Sequence, residues 1–515
     1  MKKGKSLLSL FLALALALTA FSGCGSKSAS SGAAASGDSA ETQKVVMYLI
    51  TFNNIPDDYS KVTDAINNYI AEKYPDAHVA LDLRLIGPAD YNDKIKLAMQ
   101  SGTQMDLFIP LDLQTFIAQN MCMDISSYLD EYGKDMVAMI NKDFGTDGFS
   151  TLTQNGAIYG VPINKAVVIN PTLSYNKEML DGVGVSIDDI NSIWDLSDVY
   201  AKVKEKYPDV YCYAPTNQQD TYISLILEGD DKMDRLGDTT YTGVIFGDSG
   251  KVVDLYETDQ FRKYVDLMRS WYLAGYVPQD MATSTTTAPA YASSGRLFST
   301  YASYSGVDKQ SDNSVLNQLT GTDAYGSKWI SSFYMDTMST SLAMCVSSNS
   351  KVPEAAVKLL NIVYSDEFVL NTILFGIEGE DYVKPSEHVA QFPEGLDANT
   401  VPYTAYLCNG VIGSESLQWV TTSEEDYQKK LQAIEMNKSA ERSPYYGFVF
   451  DASNVVNEMT ALTNVVKQYY PGLVCGSLDP DEAIPEFIKA LKDAGVDTVV
   501  AEKQKQLDAW IAANQ

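Results

Sequence analysis

Two histidines, His78 and His388, are the whole imidazole supply of a 515-residue chain that carries 67 carboxylates. His78 falls in a strand-like stretch and His388 in a loop-like one, and neither has the close second ligand that a zinc site or a triad needs. No G-x-S-x-G box offers a nucleophile elbow. The glycine pairs in Gly376-Ile-Glu-Gly and Gly243-Val-Ile-Phe-Gly247 do not make a phosphate loop. A glycosidase dyad is defined by distance in space rather than along the chain, so a surface glycoside hydrolase stays open as an alternative. The expectation is a protein that is not an enzyme, with no catalytic residue, no metal and no cofactor.

Non-covalent recognition needs other parts, and these are plentiful. Thirty-three tyrosines give flat apolar faces with a hydroxyl, which suit polyol ligands, although any one of them serves equally well in a core. The candidates lie where loops should meet a cleft. Phe52 and Asn53 follow the first predicted strand, and Asp112 follows the third. Tyr301 and Tyr304 follow a Gly295-Arg296 step, Trp329 and Tyr334 lie further on, and Asn409 and Trp419 come from a later loop. Asp112 is equally suited to capping the helix that begins beyond it.

The elements that would position these residues alternate. Residues 44–50 form an almost unbroken apolar run of buried-strand type, and 60–74 read as a helix with Val62, Ile66, Tyr69 and Ile70 on one face, ended by Pro75. A strand over 78–85, a helix over 88–100 with Ile95, Leu97, Ala98 and Met99, and a strand over 106–110 follow. This pitch predicts a mostly parallel sheet covered by helices, with ligands at the C-terminal ends of its strands. Near the C-terminus, Asp479-Pro-Asp-Glu482 opens a helix carrying Ile484, Phe487, Ile488 and Leu491, stopped by Gly495; a last helix is predicted over 498–512.

The ends and the composition set the address. Lys2, Lys3 and Lys5 precede an apolar run from Leu7 to Ala20 that is too short for a permanent span, and Phe21-Ser-Gly-Cys24 follows. That junction resembles the lipobox of bacterial lipoproteins, which implies a signal peptide over 1–23, lipidation of Cys24 and anchoring on the extracytoplasmic face of the cell membrane. Residues 24–43, rich in Ser, Ala and Gly, are expected to be a flexible tether. The other five cysteines are scattered and odd in number, so they are expected to be small buried residues. A formal net charge of −29 repels phosphate backbones and makes nucleic acid an unsuitable partner.

Between residues 158 and 179 two extended segments are broken by Pro162 and Pro171, neither of which can donate in the middle of a central strand. The Tyr159-Gly-Val-Pro162 box followed by Ser174-Tyr-Asn-Lys177 resembles the first inter-lobe crossing of family 1, sugar-type solute-binding proteins of ABC importers. Trp194-Asp195, the Gly295-Arg296 step and the stretch 341–360 resemble further markers of that family. Phe375 to Tyr382, Pro444 to Asp451 and Glu502 to Trp510 resemble a C-terminal domain of unknown function on clostridial and bacillar lipoproteins of this class. The resemblance implies an α/β, two-lobed, periplasmic-binding-protein-like (type II) fold with a hinge of three crossing segments, near 170, 335 and 400. Lobe 1 is expected over 44–168 and 336–400, and lobe 2 over 169–335 and 401–515, with 375–515 as the family-specific C-terminal region. It further implies a monomer that captures a sugar or oligosaccharide, or alternatively a peptide or another nutrient, and delivers it to ABC permease subunits.

Overall fold

The first core is laid down by the apolar run that begins near residue 45. In the computed structural model, which describes residues 41–145, 148–216, 223–304, 306–340 and 342–514 (the backbone alone at 303, 304 and 318), Gln43–Ile50 is a strand buried from Val45 onward. It pairs in parallel with Val79–Ile86 on one side and with Leu107–Phe108 on the other. Ala343–Val346 returns antiparallel beside Leu107–Phe108, and Val161–Pro162 forms the far edge. Helix Ser60–Lys73 covers this sheet with Val62, Ile66 and Ile70, the spacing of one apolar stripe. Helix Tyr91–Ser101 buries Tyr91, Ile95 and Ala98 but leaves Leu97 exposed, so its inward face is narrower than the sequence pattern. The buried Tyr91 hydroxyl ties two strands together, accepting from Ile109 N at 2.9 Å and donating to the Tyr48 carbonyl at 3.1 Å.

A second five-stranded sheet runs in the order Gln310–Ser311, Tyr325–Trp329, Asn170–Asn176, Leu297–Tyr304, Tyr211–Tyr213. Its central strand contains Pro171, contrary to a strict reading of the proline rule. The strand tolerates it because Pro171 is only its second residue and contributes a carbonyl, which accepts from Ile330 N at 2.8 Å. Pro162 lies in the edge strand, where no donor is missed. A separate core forms on this sheet from Leu173, Tyr213, Phe261, Trp271 and Phe298, joined by Phe450, Leu462, Phe487 and Leu507 from the end of the chain. The molecule is two-lobed.

The chain passes between the lobes at 164–169, again at 330–342, and a third time close to 440. The last crossing differs from the expected position near 400. Residues 401–419, expected in the second lobe, instead place Tyr403, Ala405, Cys408, Ile412 and Trp419 in the first core. Helix Glu424–Ser439 packs against Lys134–Phe144 of the same lobe, and only then does Glu441–Arg442 pair in parallel with Tyr334–Met335. The first crossing is strapped to this late segment: Val167 N donates to Asn437 Oδ1 at 2.9 Å, and Ala166 N to Glu415 Oε2 at 2.7 Å. Cys122, Cys212, Cys345, Cys408 and Cys475 are buried and unpaired. Helix Pro480–Asp493 is capped by Asp479, whose carboxylate accepts from Asp481 N at 3.0 Å, and Val496–Asn514 closes the described chain. No helix among the described residues is long and apolar enough to cross a membrane. Cys24 and most of the tether lie outside the described residues.

Candidate functional site

Beyond strand Leu107–Phe108 the chain runs through Ile109 and Pro110 and turns at Leu111 and Asp112 into helix Leu113–Ala118. That turn is one wall of a cleft of about 610 Å³, within the size range of small-molecule sites, roughly 300–1,000 Å³. Thr337, Met338 and Leu342 of the second crossing form its floor. The opposing wall comes from the second lobe, through the 237–240 turn and the stretch Phe448 to Thr463. Two larger concavities, about 970 and 800 Å³, lie on the first lobe alone, one along strand Val79–Ile86 and one around Asp366. The cleft is the candidate because it combines the C-terminal end of a parallel strand, both lobes and a crossing segment.

The cleft wall is held by buried charge. Asp238 accepts from Lys503 Nζ at 3.0 Å, from Thr240 Oγ1 at 2.7 Å and from Thr242 Oγ1 at 3.2 Å. Lys503, itself fully buried, also donates to the Gly243 carbonyl at 2.9 Å. Burial pushes the Asp238 carboxyl up, but Lys503 and the Thr240 donors more than offset it and hold it below the usual range. Burial pulls the Lys503 ammonium down, and Asp238 opposes this only in part. At the floor, Arg235 grips Asp336 through Nε at 2.6 Å and its terminal nitrogen at 2.9 Å, with Glu228 3.2 Å from the same Nε. Asp234 accepts from Thr337 Oγ1 at 2.7 Å, so the crossing is fastened to the second lobe as far as Thr337. Burial raises both Glu228 and Asp234, while Arg235 overcomes burial at Asp336 and keeps that carboxyl low.

The residues expected at a ligand surface divide. Asp112 lines the cleft and is also the N-cap of Leu113–Ala118, accepting from Thr115 N at 3.2 Å and Thr115 Oγ1 at 2.6 Å. Phe52 is 52% exposed at the end of the first strand. Its neighbour Asn53 accepts from Leu407 N at 2.9 Å, in the turn that contains Asn409, and none of Phe52, Asn53 and Asn409 lines the cleft. Trp329 is partly buried at the end of its strand, and its indole N–H finds no acceptor among the described residues. Tyr301, Tyr334 and Trp419 are packed inside the lobes, against expectation. Tyr301 stacks on Tyr213 at 4.5 Å and bonds the Tyr264 hydroxyl at 2.8 Å. Tyr334 is 4% exposed, its hydroxyl pushed up to about 12 by burial. Trp419 lies beneath Lys384 and donates its indole N–H to Glu367. The Tyr304 side chain lies outside the described residues. His78 ends a short turn in the left-handed region, and His388 stacks on Tyr427 at 4.0 Å beside Glu424. Among the described residues no three His, Cys, Asp or Glu side chains gather into a metal-holding group.

The wall that sequence reasoning missed is the C-terminal one. Val456, Met459, Thr460 and Thr463 line the cleft from helix Val456–Val474, at i, i+3, i+4 and i+7. The signal was present as a helical stripe, but its Val and Met content reads as ordinary core.

Residues 59–369 match the model of the bacterial extracellular solute-binding proteins, and residues 444–512 match a domain of unknown function, DUF3502. A carbohydrate ABC transporter substrate-binding protein of Streptococcus pneumoniae is 27% identical over 497 residues, covering 95% of this chain and 94% of that protein. The crystal structure of an N-glycan transport solute-binding protein, NgtS, from Streptococcus pneumoniae superposes with a TM-score of 0.73 at 26% identity, covering 92% of this chain and all of that one. NgtS in complex with Man5GlcNAc superposes with a TM-score of 0.65, again at 26% identity, over 92% of this chain and 99% of that one. With more than half its length matched to one family model, the chain belongs to the bacterial extracellular solute-binding proteins.

Proposed function

We propose that the protein captures an uncharged oligosaccharide in the cleft between its lobes, without turning it over, and delivers it to the permease of an ABC transporter. The observation that carries this reading is the cleft lining. Leu111, Met338, Phe448 and Val456 give apolar surface, and Gln119, Thr239, Ser453 and Thr460 give hydroxyls and amides. A sugar presents an apolar C–H face and a rim of hydroxyls, which this mixture matches. No Lys, Arg or His lines the cleft among the described residues, so an acidic ligand has no counter-charge there. The substrate classes named for the relatives above support a glycan over a peptide. The segments that cross between the lobes support closure of the cleft on its ligand by a hinge movement. A lipid on Cys24 would keep the cleft at the outer membrane face beside the permease.

The test is a thermal-shift and calorimetric panel of Man1GlcNAc, Man5GlcNAc, short peptides and a uronic acid oligomer, with hydrolysis of each glycan followed in parallel. One neutral glycan at a hundredfold excess over Kd should stabilise the protein by about 2.7 kcal/mol. A shift with peptides alone, or release of free sugar, overturns the reading.

A further inference from the structure

We infer that the C-terminal domain of unknown function is the outer wall of the ligand site, and that one stripe of its helix Val456–Val474 selects the saccharide. This rests on the function proposed above and assigns the specificity of that same cleft. Helix Val456–Val474 has two working faces. Leu462 and Leu473 are fully buried in the second core, with Val465, Val466 and Tyr469 packed around them. The adjoining stripe, Val456, Met459, Thr460 and Thr463, lines the cleft, with Met459 also packed against the second core.

Val456 is 53% exposed, and Leu111, which lines the cleft from the other lobe, is 50% exposed. Large apolar side chains left open on both walls of one cavity mark a surface awaiting a ligand. The chemistry beside them is specific. Thr460 Oγ1 donates to the Val456 carbonyl at 2.9 Å, and Thr463 Oγ1 donates to the Met459 carbonyl at 2.8 Å. Each hydroxyl proton is thus spent within the helix, leaving its oxygen as an acceptor. A row of acceptors between apolar groups suits a ligand rich in hydroxyl donors and with C–H faces, which is a neutral saccharide chain.

The same domain also sets the rest of its wall. Lys503, in the closing helix Val496–Asn514, holds Asp238 and the Gly243 carbonyl, and so fixes the 237–240 turn. A Cβ at Gly243 would approach Lys503 Cδ to 2.6 Å, so the turn and the helix fit without slack. The first lobe meets this wall where helix Leu113–Ala118 lies against Ala452–Asn454.

The experiment compares wild type, Thr460→Trp, the paired Thr460→Val and Thr463→Val, and Gln468→Trp, an exposed position on the same helix that does not line the cleft, all as full-length protein. Binding of Man1GlcNAc and Man5GlcNAc is measured by calorimetry, and ligand-free melting reports folding. Thr460→Trp and the paired valine variant are expected to weaken at least one glycan by about tenfold and to change the ratio of the two, since two lost acceptor bonds account for such a factor. Gln468→Trp should bind as wild type. The valine pair keeps the side-chain shape, so it remains decisive if the tryptophan disturbs the helix. Wild-type binding with unchanged affinities in both stripe variants overturns this inference and leaves the function standing. A wild type that binds neither glycan overturns the choice of ligand class itself.

Discussion

Lys503→Met is the most revealing single change, because it isolates the charge that fixes one cleft wall. The ammonium is fully buried and makes two hydrogen bonds, to Asp238 at 3.0 Å and to the Gly243 carbonyl at 2.9 Å. Methionine fills a similar volume but leaves the Asp238 carboxylate without its counter-charge. Breaking a buried pair from one side costs about 3–5 kcal/mol. Asp238 keeps the Thr240 N–H at 2.7 Å and the Thr240 and Thr242 hydroxyls, which places the expected loss at the low end, about 3 kcal/mol. The paired Asp238→Asn and Lys503→Met variant removes both charges and should recover at least about 1 kcal/mol of that, because an asparagine is cheaper to bury than an unpaired carboxylate. Urea unfolding of the wild type, both single variants and the pair gives the coupling from one double-mutant cycle. A single-variant loss below about 1 kcal/mol, or a paired variant less stable than Lys503→Met, refutes the assignment of this pair as the clamp of the 237–240 turn.

Further outcomes follow from other sites. Asp112→Ala should cost about 1 kcal/mol through the lost N-cap of Leu113–Ala118, and should weaken glycan binding in calorimetry as well. Asp254, with one carboxylate oxygen buried and unpartnered, is raised to about 7 chiefly by burial. The folded state therefore holds a proton that the unfolded state has already released near its ordinary 3.8, so stability falls as pH rises between those values and the loss is complete above about 7. Asp254→Asn should flatten that decline by up to about 1.4 kcal/mol per pH unit, as read from urea midpoints across pH 4–8. Cys24→Ser should move the protein from the membrane fraction to the medium; unchanged fractionation would exclude the lipid anchor.

Much of the first lobe could be derived from periodicity. Residues 45–50 are continuous apolar sequence because both faces are covered, and Val62, Ile66 and Ile70 form a stripe because only one face of their helix is. Helix Pro480–Asp493 is announced by its own cap and proline. The third crossing has no such mark. Residues 401–423 fold as short turns held by scattered contacts, such as Asn164 N to the Gly413 carbonyl at 3.3 Å, so no pattern shows which lobe they join. The candidate site was recoverable at Asp112, where strand order alone points to the cleft. It failed at Tyr301 and Trp419, because an aromatic ring carries the same local sequence whether it faces a ligand or the Tyr213 and Phe375 rings. The Val456–Thr463 stripe faced the same ambiguity.

The second lobe is assembled from two pieces of chain separated by a whole segment of the first lobe, and this has a kinetic consequence. Lys503 meets Asp238 across 265 residues of sequence, and Phe450, Leu462, Phe487 and Leu507 complete a core whose sheet ends at Trp329. A chain emerging from its N-terminus can close the sheet of the first lobe once Ala343–Val346 is available, but its second core stays open until the last helices arrive. Loop-closure entropy and long-range pairing slow that final step. A polypeptide that must be threaded outward before it folds gains from such an order, since its second half cannot lock prematurely. The same order makes the second lobe intolerant of C-terminal truncation: loss of residues beyond 443 strips one side from its core and leaves a wide apolar surface open to aggregation.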